Sequence, residues 1–218
     1  MLDFPGGEMH ITEEAVCISC RTILSIASSA LVGGGLFQAE TIINYHVPPH
    51  YANAHPAKDL RAFARSKNIM GSFVGVMTAV PLHYTKTITL RHEHLTVACI
   101  ITAGLRVAEA AGLSTPISSL ATPGTINIIL LVDAHLEASA LINAIITVTE
   151  AKTAVLMEHD VRTEEGHRAT GTVTDAVVIA CTGRGAALPY AGPGTHIGFL
   201  LAACVRQCLT QALAWWKP

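Results

Sequence analysis

Apolar and polar positions alternate from Glu8 to Ala30, through MHITEEAVCISCRTILSIAS. This period of two belongs to half-buried strands, and predicts two or three strands joined by hairpins. Val32 and three glycines, Gly33, Gly34 and Gly35, then break the pattern. Such a run permits a tight turn or a close approach of backbone to ligand. The segment ETIINYHVPPHYANAHP holds three prolines and reads as irregular. Pro56 opens a predicted helix to about Lys67, with Leu60, Phe63 and Ala64 on one face. Residues 73–80, 84–90 and 95–102 read as three further strands.

The block 124–180 has the clearest periodicity. It predicts a strand from Thr125 to Val132, apolar enough to be central in a sheet. A helix follows from about Leu136 to Met157, then a polar loop and a strand from about Thr172 to Cys181. A glycine-rich link, GRGAALPYAGPG, leads to a last helix from about Thr195 to Trp215. Long apolar helices need a sheet face to cover, so the fold class is α/β, a layered sandwich. Hairpin-short connections around 73–102 make a mixed sheet the expectation. No repeat or linker divides the chain, so residues 1–218 are expected to form one domain.

Composition adds a constraint. Half the residues are apolar and 14% are charged, well below the usual quarter. Either the core is large or a second subunit covers apolar surface, so a homo-oligomer is an expected partner arrangement. The net charge is −2 and no basic stripe exists, which excludes nucleic acid and anionic membranes as expected partners. Uninterrupted apolar runs fall short of the ~20 residues that span a bilayer. The first residues lack a basic segment followed by an apolar one, so a cytoplasmic location is expected. Cys17 and Cys20 have C-x-x-C spacing without a second pair. His92 and His94 would share a face if they alternate on one strand, but no H-E-x-x-H pattern occurs. No metal is therefore expected.

Several residues have positions suited to chemistry. Thr125 starts a buried strand, where a hydroxyl is either an ordinary strand threonine or a nucleophile with a base nearby. Thr174 and Asp175 open the last predicted strand. A carboxylate there is either a turn acid or a proton acceptor. Asp133, between strand and helix, reads as an N-cap. Glu150 and Lys152 lie two apart in the long helix and do not face each other.

The segments LSIASSALVGGGL, TIINYHVPPHY, GVMTAV, TAG at 102–104, PGTINIILLVDAHL, NAIITVTEAKTAVL, ATGTVTDAVVIA and YAGPGTHIG span most of the chain. In them the chain resembles the adenosylcobinamide amidohydrolase family of corrinoid salvage. The resemblance implies hydrolysis of the amide joining the aminopropanol arm to the corrin ring, giving adenosylcobyric acid. It implies a corrinoid as substrate and no required cofactor. Gly33, Gly34, Gly35, Asn44, Thr102, Gly104 and Thr174 are the candidate substrate-binding residues within these segments. Two places depart from the family's pattern, Leu105-Arg106-Val107 and Val173.

GTINIILLVDAHL is also similar to the nucleophile-bearing start in aminopeptidases and ornithine acetyltransferases that cut themselves before Ser or Thr. That similarity implies an αββα fold, Thr125 as nucleophile and Gly124–Thr125 as a self-cleavage bond. Asn127, or the amides of Thr102, Ala103 and Gly104, would then face the oxyanion. The competing mechanism uses Asp175, or Glu150 through water, as general base, with Lys152 polarising the carbonyl. Two other functions stay open: a corrinoid-binding protein without catalysis, and a self-processing threonine amidase acting on another amide.

Overall fold

A computed structural model describes residues 2–116 and 124–215. In chain order the main elements are β1 (Gly7–Ile11), β2 (Ala15–Ser28), β3 (Gly35–His46), α1 (Pro56–Ser66) and β4 (Phe73–Thr78). Then come β5 (Lys86–His92), β6 (Leu95–Ala103), β7 (Ile126–Asp133), α2 (Ala138–Glu158), β8 (Ala176–Cys181) and α3 (His196–Leu213). Two short ladders supplement these, Ala108–Glu109 with Gly171–Thr172 and His135–Leu136 with Ala187–Leu188.

The strands join in the order β4-β3-β2-β8-β7-β6-β5, with β1 beside β2. The β3–β4 and β7–β8 pairs are parallel and the others antiparallel, so the sheet is mixed. Strand β2 bridges two layers. Its register with β3 shifts between Ser19 and Leu24. Before the shift it pairs with β1, and after it with β8. A bulge of this kind bends a strand and re-aims its side chains.

Three buried clusters define the layers. Ile43 and Phe73 pack under Leu60 and Phe63 of α1. Ile18, Ile42 and Val74 meet Ile129, Leu131 and Val178 between the two sheet layers. Ile128, Leu130 and Ile179 pack under Val148 and Val155 of α2 and Leu201 and Val205 of α3. Neighbouring residues of β7 thus enter different cores, which is why INIILLV is apolar without alternation. The result is an αββα sandwich.

Some elements differ from the sequence reading. Residues 40–46 belong to β3 rather than to an irregular segment. Ile42 and Ile43 are buried on opposite faces, so no alternation marks the strand, and Pro48 and Pro49 lie beyond its end. The last strand begins at Ala176, leaving Thr174 and Asp175 in the turn before it. Asp133 ends β7, accepts from Thr182 Oγ1 at 2.7 Å and does not cap α2, whose N-cap is Glu137. His92 ends β5 and His94 lies in the following turn, so they share no strand face. Cys17 packs toward α1 and Cys20 toward the inter-sheet core, so the C-x-x-C pair cannot converge. By length and composition α2 would be long enough and apolar enough to cross a membrane. One side of it, with Ala144, Val148 and Val155, is buried in the core.

Burial raises the buried thiols: Cys20 is pushed up to about 11, and Cys181 and Cys204 each to about 12. Cys99 is raised well above its ordinary value by the same cause. These groups stay protonated in the fold where the unfolded chain would ionise them. Their contribution to stability is complete below the ordinary thiol value of 9.0 and drains away as pH climbs toward about 12. The urea midpoint is therefore expected to fall above about pH 9. Native protein should also be alkylated at these cysteines far more slowly than unfolded protein. Equal labelling of the two states at pH 8 would contradict the burial.

Candidate active site

Because β7 and β8 are parallel, both start at the same end of the sheet. Antiparallel β6 ends there, with Ala103 opposite Ile126. A cavity of about 1250 Å³ opens at this end. Thr125, Asn127, Thr174 and Asp175 line one wall, Met77 and Thr78 continue it, and Tyr51 and Asn53 come from the loop after β3.

Thr125 is 6% exposed. Its Oγ1 lies 2.9 Å from the Thr174 carbonyl oxygen and 3.3 Å from Asn127 Oδ1. Both partners are acceptors, so the hydroxyl proton serves one of them at a time. Among the described residues, no imidazole, carboxylate or amine hydrogen-bonds this hydroxyl.

The floor is a buried amide network. Asn127 Nδ2 donates to Asn44 Oδ1 at 3.0 Å and to the Met77 carbonyl at 2.8 Å. Asn44 Nδ2 donates to Thr102 Oγ1 at 2.9 Å. β3 and β4 supply one side and β6 and β7 the other, so the network ties the two sheet layers together. Every amide proton of Asn127 is committed there, and the Gly104 N–H donates to the Thr125 carbonyl at 2.9 Å. Thr102 and Ala103 lie within the β6 ladder. These groups are therefore bonded within the fold and hold the strand that follows Thr125.

Asp175 is surrounded by donors. Its Oδ1 accepts from the Ile126 N–H at 3.0 Å and from Thr172 Oγ1 at 2.5 Å. Its Oδ2 accepts from the Thr172 N–H at 3.1 Å and pairs with Lys152 Nζ. The two charged side chains are 12% and 9% exposed.

Comparison with known proteins identifies the lineage. The sequence model of the adenosylcobinamide amidohydrolases matches residues 3–218. The chain belongs to the adenosylcobinamide amidohydrolase family. A relative of that name from Methanosarcina mazei is 35% identical over 86% of this chain and 89% of its own. One from Halobacterium salinarum is 35% identical over 54% of this chain and 50% of its own. Among solved structures, the PH0078 protein of Pyrococcus horikoshii aligns over 95% of this chain and 83% of its own. Its TM-score is 0.52 at 12% identity, a likeness of fold alone.

The other expected site residues of this family member have separate places. Thr174 lines the cavity, while Asn44 and Thr102 lie beneath it. Glu150 is exposed on α2 and is not brought to the cavity. Gly33, Gly34 and Gly35 are not among the lining residues. At Gly33, φ is +71° and a Cβ would sit 2.9 Å from the Phe73 carbonyl oxygen. At Gly33 the backbone conformation and the close packing both require glycine. Of the residues read from sequence as departures from the family's pattern, Arg106, Val107 and Val173 line the cavity, and Leu105 is not among the lining residues. So do Ser29 and the Glu164–Glu165 loop, which the sequence reading missed. Their only signal was polar residues in loops, which most loops share.

Proposed function

We propose that this chain hydrolyses the amide joining the aminopropanol arm of adenosylcobinamide to the corrin ring, releasing adenosylcobyric acid and aminopropanol. Family membership supports the class of bond, a linear amide. The observation that carries the reading is the cavity of about 1250 Å³ with the Thr125 hydroxyl in its wall. Pockets for drug-sized ligands run to roughly 300–1,000 Å³. A corrinoid disc with an amide arm calls for more. The corrinoid is the substrate, and the proposed chemistry needs no separate cofactor.

Thr125 Oγ1 attacks the amide carbon, and the C–N bond breaks. The amine leaves with the hydroxyl's proton, and water then hydrolyses the threonyl ester to the carboxylic acid. The base is supplied if the chain cuts itself before Thr125. The hydroxyl would attack the Gly124 carbonyl carbon and the Gly124–Thr125 C–N bond would break, freeing an α-amine on the nucleophile itself. Water would then hydrolyse the ester to restore the hydroxyl and leave a Gly124 carboxylate. One contact favours this bond: Thr174 Oγ1 donates to the Gly124 carbonyl at 3.4 Å, where charge would develop.

Incubation of purified protein with adenosylcobinamide is expected to give adenosylcobyric acid and aminopropanol in equal amounts by mass spectrometry. Tight binding with no product would leave a corrinoid-binding protein. The active protein is expected as two pieces meeting at Gly124–Thr125. Turnover by a wholly uncut sample would remove the α-amine from the mechanism.

A further inference from the structure

We propose that the buried Lys152–Asp175 pair is a positioning device for Thr125, and that Asp175 takes no proton during turnover. The inference rests on the reading of Thr125 as nucleophile.

Asp175 borders the cavity, which invites a role as general base. Its surroundings argue otherwise. A carboxylate has about four lone-pair sites. Here Ile126 N–H, Thr172 N–H, Thr172 Oγ1 and Lys152 Nζ occupy them. No lone pair is left to receive a proton from water or from Thr125.

What the carboxylate holds is informative. The Ile126 N–H belongs to the peptide bond that joins Thr125 to β7. The residue before Asp175 holds the Thr125 hydroxyl through its carbonyl, at 2.9 Å. Two consecutive residues, Thr174 and Asp175, therefore grip the side chain and the main chain of the nucleophile together. Lys152 fixes that grip to α2, a rigid element, and balances the buried charge.

Gly171 completes the arrangement. A Cβ there would lie 2.5 Å from Asp175 Oδ2 and 2.6 Å from Lys152 Nζ. The backbone thus packs directly on the ion pair and leaves no space for a side chain on that face.

The test compares Asp175→Asn with the double variant Asp175→Asn/Lys152→Met, in protein whose folding is verified by thermal melting. Positioning predicts that kcat falls about ten- to a hundredfold while KM stays within about threefold. It also predicts that both limbs of the pH profile of kcat/KM remain where they are in the wild type. Loss of one limb in Asp175→Asn would make Asp175 the base and overturn the proposal. Wild-type kcat in either folded variant would overturn it as well. Should Asp175→Asn fail to fold, the double variant carries the same test, because it leaves no unpaired buried charge. Failure of the nucleophile reading is recognised separately, by activity that survives Thr125→Ala.

Discussion

Thr125→Ala protein is expected to turn over adenosylcobinamide at least about a thousandfold more slowly than the wild type. The substitution removes the only atom proposed to bond to the substrate. Thr125 is 6% exposed and its methyl group is small, so the fold should tolerate the change. Binding of the corrinoid, read by its absorbance, should persist, because the cavity walls stay in place. The same variant is expected to remain in one piece, since the attacking oxygen of the proposed cut is gone. Thr125→Ser keeps the hydroxyl and should retain turnover. Full activity in the alanine variant would sink the nucleophile and return attention to water activated elsewhere.

Lys152→Ala is expected to have the largest effect on stability. It strands the Asp175 carboxylate, 12% exposed, beside three donors that cannot neutralise it. Removing one partner of a buried ion pair typically costs about 3–5 kcal/mol. For a domain of this size that lowers Tm by roughly 6–20 °C. Lys152→Met combined with Asp175→Asn should recover part of the loss, because no charge is then left unpaired. A melting temperature unchanged in Lys152→Ala would mean that solvent reaches the pair.

The contrast between these two residues indicates what the sequence made readable. Thr125 could be singled out because a hydroxyl at the head of INIILLV stands out against seven buried neighbours. The long helices were legible for the same reason: their apolar spacing reports the sheet they cover. Lys152 and Asp175 were each noticed, but not as a pair. They lie 23 residues apart, and only the return of the chain along α2 brings them together. Asn44 was legible only through family resemblance. It sits in β3, where two adjacent isoleucines feed two different cores and erase the alternation that announces a strand. The triple glycine could be read two ways from sequence, since a turn and a ligand cradle ask for the same residue. The cavity's loops left the faintest trace, because polar side chains there obey no period.

The strand order has one more implication. Strands β7 and β8, which follow Thr125 in the chain, lie between β2 on one side and β6 on the other, both of which precede it. A nick before Thr125 would therefore not release either piece. The two polypeptides would remain interleaved within a single hydrogen-bonded sheet, as an obligate heterodimer made from one gene product. The new terminus would stay pinned at the mouth of the cavity.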